Sequence, residues 1–166
     1  MDEIIDVIDE QDKVIRQEKS SIIHRENLLH RYAHVIIIKS DNRIVVQQRH
    51  HNMKNYPNTF DASVGEHVSS GETYYDAAMR GLEEEIGIKT QIKFLAKIEN
   101  RIQPEIENML GELFIGHYDG PYHPQDNEIS RLEFMTISEL SFILERYPYL
   151  ICDNFKPAIE AYKKSL

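Results

Sequence analysis

The sequence predicts one layered domain of mixed α and β structure, of the α/β or α+β class, on three observations. A chain of 166 residues with 41% hydrophobic composition can close one core of its own but is short for two. Short β-branched runs alternate with segments whose apolar residues recur at helical spacing. No internal repeat, low-complexity tract or linker divides it. Residues 1–166 therefore read as one domain, with a hairpin and helix to about residue 27, a core from about 28 to 137, and closing helices from about 138 to 166.

Each element has a local reason. Ile4-Ile5-Asp6-Val7-Ile8 and Lys13-Val14-Ile15-Arg16 flank the polar turn Asp9 to Asp12 and predict a hairpin. Ser20 to Glu26 is a brief helix carrying Ile22 and Ile23. Tyr32 to Ile38 is a β-branched run stopped by Ser40-Asp41-Asn42, and Ile44 to Gln48 is its partner strand. After a polar loop with Pro57, Phe60 to Val64 reads as a short strand and Gly65 to Gly71 as a loop. Thr73 to Glu85 is predicted helical because Tyr75, Ala78, Leu82 and Ile86 recur at helix spacing, with Gly87 as the stop. Gln91 to Ile102 and Met109 to Tyr118 are strands joined by a loop with Pro104, and Arg131 to Met135 is the last strand. Helices close the chain from about Ser138 to Tyr147 and from Asn154 to Lys164.

Composition narrows the function classes. With 28 acidic against 19 basic side chains and a formal charge of -9, the chain is a poor match for a nucleic-acid polymer or an anionic membrane. A cation-assisted contact with a small phosphate compound stays open. The lone Cys152 can form neither an internal disulfide nor a cysteine zinc site, and reads as a buried spectator. The acidic start Met1-Asp2-Glu3 lacks a secretion pattern, and Val35-Ile36-Ile37-Ile38 is far too short to span a bilayer. A soluble, cytoplasmic protein is the expectation.

The run Glu83-Glu84-Glu85 is the first chemical clue. On a helix, positions 81, 84 and 85 share a face while Glu83 points away, so Glu84 and Glu85 project two carboxylates beside the apolar stripe. Hard oxygen ligands of this kind suit Mg2+ or Mn2+, which keep waters and bridge to substrate phosphates. A solvated acidic face explains the same run without any ligand, and on these three residues alone it is the better account.

The spacing around the run changes that balance. Glu72, Arg80, Leu82, Glu84, Glu85, Gly87 and Ile88 stand in register with the Nudix hydrolase signature, and Gly71 precedes the helix. The chain is identified by these seven matches as resembling that family. The resemblance implies an α/β/α sandwich with a mixed sheet, an N-terminal hairpin and a C-terminal helix, and a loop running into a helix start that can serve a metal or anion. Two positions depart from the signature: its first glycine is Glu66, and the glutamate after the arginine is Gly81. In the family that glutamate helps hold the metal and in some members acts as the base, a role that typically contributes ~10²–10⁴-fold in rate. Gly81 also costs the helix roughly 1 kcal/mol relative to alanine. One reading links the departures: Glu66 restores a carboxylate near the space that Gly81 leaves empty.

The resemblance extends to the branch similar to isopentenyl-diphosphate isomerase, through Leu28-Leu29-His30-Arg31, the segment Gln48-Arg49 to Pro57, Ser63-Val64-Gly65-Glu66-His67, and Asn154-Phe155-Lys156-Pro157. The isomerases hold a metal with histidines at positions that look like His24, His30 and His67. They place a catalytic cysteine where this chain has Gly65, and two strand glutamates where Glu112 fits and Leu110 does not. Without the thiol, proton transfer at an isoprenoid double bond lacks one of its two groups, so isomerase activity is not expected. Single histidines are more often ordinary surface or half-buried imidazoles, and Arg49 with Lys54 reads equally as a solvated basic pair or as a diphosphate anchor. Tyr56 and Phe60 read as core.

The expected function is metal-dependent hydrolysis of a diphosphate linkage in a nucleoside or other organic diphosphate, with a catalytically attenuated diphosphate-binding module as the alternative. The resemblance implies Mg2+ or Mn2+ at Glu84, Glu85, Glu112 and the carbonyl of Gly65, with Glu66 and His67 as further candidate ligands. Glu84, Glu85 and Glu112 are the candidate catalytic residues, with Glu112 as the base because an acid in an apolar strand needs a partner. Arg49 and Lys54 would orient a small-molecule diphosphate, and Glu72 with Arg80 would form a structural ion pair.

Overall fold

A computed structural model describes residues 2–101 and 108–166. The predicted loop with Pro104 lies outside the described residues, as does the end of the strand expected to reach Ile102. The elements are β1 (Ile4–Ile8), β2 (Val14–Lys19), α1 (Ser20–Glu26), β3 (His30–Ile38), β4 (Ile44–Arg49), β5 (Phe60–Asp61), β6 (Val64–His67) and α2 (Tyr74–Ile86). They continue with β7 (Ile92–Arg101), β8 (Asn108–His117), β9 (Ile129–Met135), α3 (Ile137–Arg146), a 3-10 turn at Pro148–Leu150, and α4 (Lys156–Ser165).

The strands form one mixed sheet. β1 pairs antiparallel with β2 and β3, β3 runs parallel to β8, β8 is antiparallel to β7, and β4 is antiparallel to β5 and β9. β3 is covered on both faces, which is why it reads as a nearly unbroken apolar run rather than an alternating one. Ala33, Val35 and Ile37 join Ala77, Ala78, Leu82 and Ile86 of α2 in one core layer. Ile36 and Ile38 point the opposite way, into a second layer with Leu140 of α3 and with Phe155 and Ile159 near and on α4. The arrangement is an α/β/α sandwich. Among the described residues no helix is long and apolar enough to cross a membrane.

One boundary differs from the sequence reading in a way that matters for the site. The expected strand Phe60 to Val64 is broken at Ala62-Ser63, and Gly65 to His67, expected in a loop, belong to β6. Ser63 causes the break: its hydroxyl donates to the Val45 carbonyl at 2.5 Å and accepts from the Ile37 N–H at 2.8 Å, so it pins β3 to β4 in place of a ladder bond. β3 and β4 pair at Ile38 and Ile44 and then separate. The edge of β3 from Tyr32 to Val35 is taken up by β6, with Tyr32 opposite His67, Ala33 opposite Glu66 and His34 opposite Gly65. This divergence opens the sheet.

Candidate metal and diphosphate site

Helix α2 carries the acidic run, and its ends are fixed by local chemistry. Thr73 is the N-cap of a capping box: its hydroxyl accepts from the Asp76 N–H at 3.1 Å and the Asp76 carboxylate accepts from the Thr73 N–H at 3.3 Å. Gly87 ends the helix with φ +66°, a left-handed conformation that glycine adopts without steric cost. Between these ends the apolar stripe faces the sheet and draws Glu85 inward with it.

Where β3 and β4 part, a polar cavity of about 280 Å³ opens, and Gln47, Gly65, Glu66, His67 and Glu85 are among the residues that line it. Glu85 is 8% exposed. Its carboxylate accepts from Gln47 Nε2 at 2.5 Å and from the Gly65 N–H at 3.1 Å. Gln47 Nε2 also donates to the Ser63 carbonyl at 2.8 Å, so β4, β6 and α2 hold one carboxylate between them. Burial, with the charge of Glu66 nearby, pushes the Glu85 carboxyl well above the usual carboxylate range.

Arg80 is the hub on the other side of α2. Its guanidinium donates to both Glu72 carboxylate oxygens at 2.9 and 3.0 Å, to Glu66 at 3.0 Å, to Glu84 at 3.3 Å and to the His67 carbonyl at 2.9 Å. The hydrogen bond from Arg80 holds the Glu72 carboxyl below its ordinary value. Glu66 is different: desolvation pushes it up to about 7 despite the same guanidinium. Its side chain lies against Gly81, where an added Cβ would stand 2.5 Å from Glu66 Cγ, 2.5 Å from Val64 Cγ1 and 3.4 Å from Glu85 Oε1.

The structure also brings His24, His30 and His67 together, with candidate ligand nitrogens within 4.8 Å of one another. Desolvation lowers His67 to about 3, which keeps its imidazole neutral, and its buried Nε2 has no hydrogen-bond partner among the described residues. Gly65 shows what became of the thiol position: a Cβ there would meet the Tyr32 phenol oxygen at 2.7 Å, so a tyrosine fills that space.

Several of the residues singled out in the sequence lie apart from this cavity or are tied to other partners. Glu84 does not share the cavity with Glu85: its side chain is 54% exposed and is tied to Arg80, because only position 85 falls far enough around the helix to be buried. Glu83 does point away, and it pairs with Lys89 at 2.9 Å. Glu112 sits opposite Lys97 on β7 and lines a separate cleft with Asp12 and Tyr74. Glu112 is not among the residues that line the Glu85 cavity; it stands in the same cross-strand row as Glu66, with Ala33 of β3 between them. Burial raises the Glu112 carboxyl all the same.

The basic pair also separates. Arg49 lines the cavity, but its guanidinium is 3.1 Å from Asp61 and donates to the Asn55 carbonyl at 3.3 and 3.2 Å, so it braces the loop after β4. Lys54 opens onto a different cleft, beside His24 and Arg25. Cys152 is buried as expected, and Tyr56 and Phe60 pack on the second core layer, although Tyr56 also reaches the cavity. Gln47 and Tyr32 were missed. For Gln47 a signal existed, an amide following the apolar run Ile44-Val45-Val46, whereas nothing in the sequence marks Tyr32.

Comparison with known proteins agrees with this architecture. The family model described as NUDIX domain matches residues 28–151. An uncharacterized Nudix hydrolase of Yersinia pestis is 30% identical over 155 residues, covering 93% of this chain and 80% of that one. The isopentenyl-diphosphate Delta-isomerase of Serratia proteamaculans is 25% identical over 151 residues, covering 89% of this chain and 84% of that one. The crystal structure of DR0079 from Deinococcus radiodurans superimposes with a TM-score of 0.81 at 22% identity, covering 98% of each chain. With the signature helix, the sandwich and the family model all coinciding, the chain belongs to the Nudix superfamily.

Proposed function

We propose that this protein hydrolyses a diphosphate linkage in a nucleoside or other organic diphosphate, using Mg2+ or Mn2+ held at Glu85 on the wall of the β3–β4 cavity. The single observation that carries this reading is Glu85: a carboxylate 8% exposed, oriented by Gln47 and the Gly65 N–H, beside a second carboxylate in a polar cavity. The donor set fits a hard divalent cation, and two desolvated acids side by side are a concentration of negative charge that such a cation relieves. When bound, the cation neutralises a diphosphate and lowers the pKa of a coordinated water. This chain's residues do the positioning: Gln47 and Gly65 fix the Glu85 rotamer, and Arg80 fixes the strand end that carries His67. Attack of water at phosphorus breaks the bond to the bridging oxygen, which leaves with the second phosphate. The imidazoles of His24, His30 and His67 form a nitrogen set suited to a transition-metal ion next to the same cavity.

Phosphate release from a panel of nucleoside and isoprenoid diphosphates with Mg2+ or Mn2+ tests the proposal. Release by the wild type that falls by at least about 100-fold in Glu85→Gln supports it. Release unchanged by Glu85→Gln overturns it. Gly81 favours the binding-module alternative, which is indicated if cation and diphosphate bind to the wild type without turnover. Isomerisation is disfavoured by the Tyr32 phenol in the place of the thiol.

A further inference from the structure

We infer that positions 66 and 81 form an exchanged pair, in which strand β6 delivers through Glu66 the cation-binding carboxylate that the family signature delivers from α2. The inference rests on the proposed cation site at Glu85 and adds a second ligand to it. The sequence shows only that a glycine and a glutamate have traded places. The structure shows that the two positions compete for one space. An added Cβ at Gly81 would stand 2.5 Å from Glu66 Cγ, a separation that real Cβ contacts do not show, and 3.4 Å from Glu85 Oε1. The methylene chain of Glu66 therefore fills the volume that a glutamate stem at 81 would occupy, directly beside the Glu85 carboxylate. Both acids line the same cavity. Arg80 holds Glu66 Oε2 at 3.0 Å, which fixes the side chain and leaves the other oxygen for a ligand.

The geometry explains why neither change is expected to be tolerated alone. A glutamate at 81 with Glu66 present overpacks the contact between α2 and β6, with Val64 Cγ1 also 2.5 Å from the new Cβ. A glycine at 66 with Gly81 present leaves a gap and removes the carboxylate. The coupling is therefore reciprocal, and a double exchange is expected to recover the carboxylate and the part of the packing that positions 66 and 81 share, with the Val64 contact left to adjust.

Isothermal calorimetry with Mn2+ and thermal unfolding test this on the full chain. Glu66→Gln, nearly isosteric, is expected to weaken Mn2+ binding at least tenfold while unfolding at or above the wild-type temperature. Gly81→Glu alone is expected to lower the unfolding temperature, and Glu66→Gly with Gly81→Glu to restore Mn2+ affinity to within about threefold of wild type and to recover part of the lost stability, the Val64 contact remaining. Wild-type Mn2+ affinity in Glu66→Gln, with affinity lost in Glu85→Gln, overturns the inference and leaves the cation site at Glu85 standing. Simple additivity of the two exchanges in unfolding temperature also overturns it. No Mn2+ uptake by the wild type removes the cation site and this inference together.

Discussion

Replacing Arg80 with methionine keeps most of the apolar stem and removes one charge from a cluster of three carboxylates. The guanidinium and its principal partners are about three-quarters withdrawn from water, with side-chain exposures of 26% for Arg80, 25% for Glu72 and 19% for Glu66. Removing one partner of a fully buried ion pair costs about 3–5 kcal/mol, because the other charge stays buried without compensation. Exposed pairs such as Arg80 with Glu84 are worth less than about 1 kcal/mol. Partial exposure lets water reach Glu72, so the expected loss is about 3 kcal/mol near pH 8, which for a chain of this size lowers the unfolding midpoint by roughly 6–12 °C. The loss is expected to shrink near pH 5, where Glu66 in the folded protein is protonated and no longer needs the guanidinium. Urea unfolding of both proteins at the two pH values measures this. A difference under about 0.5 kcal/mol at pH 8, or one independent of pH, would refute the view that Arg80 compensates buried charge.

Three further outcomes follow from the site. In metal-free protein the Glu66 carboxyl titrates at about 7 against an ordinary 4.5, so its contribution favours folding below pH 4.5 and is lost as pH rises to 7. The expected loss is about 3 kcal/mol, and Glu85, displaced the same way, adds to it. Glu72, displaced downward, acts oppositely but only at more acidic pH. Urea titrations of chelator-treated protein should therefore show higher stability at pH 5 than at pH 8, with Mn2+ reversing the order; a flat profile contradicts the charge assignment. Gly65→Cys places a Cβ 2.7 Å from the Tyr32 phenol oxygen and is expected to cost about 1–3 kcal/mol. It should not confer isomerisation of isopentenyl diphosphate, and Tyr32→Phe in the same chain should recover part of the stability. Removing the α2 cap with Thr73→Ala is expected to cost about 1 kcal/mol by the same measurement, and a neutral effect would mean the box is idle in solution.

The amino-acid sequence by itself determined what depends on neighbours along the chain. The stop at Gly87 and the apolar period before it placed α2 to within a residue of its observed limits, because termination signals and periodicity are local properties, whereas the capping box at Thr73 emerged with the structure. The β-branched run of β3 and the spacing from Glu72 to Ile88 announced the fold and the family in the same way. Only the tertiary structure decided which acids meet. Glu84 and Glu85 are adjacent in sequence, but the rotation of about 100° between successive helical residues sends the first to Arg80 and solvent and the second into the cavity. The register of β8 set Glu112 against Lys97, in a cleft with Asp12 and Tyr74 rather than in the cavity with Glu85. The cavity itself exists because β3 and β4 diverge at a serine hydroxyl that replaces a ladder bond, and its walls come from Gln47, Gly65 and Glu85, which only long-range pairing brings within hydrogen-bond distance. The exchange between Glu66 and Gly81 lies between these cases. Sequence revealed the trade, and packing revealed that one volume is shared, since steric competition is a property of space and not of chain order.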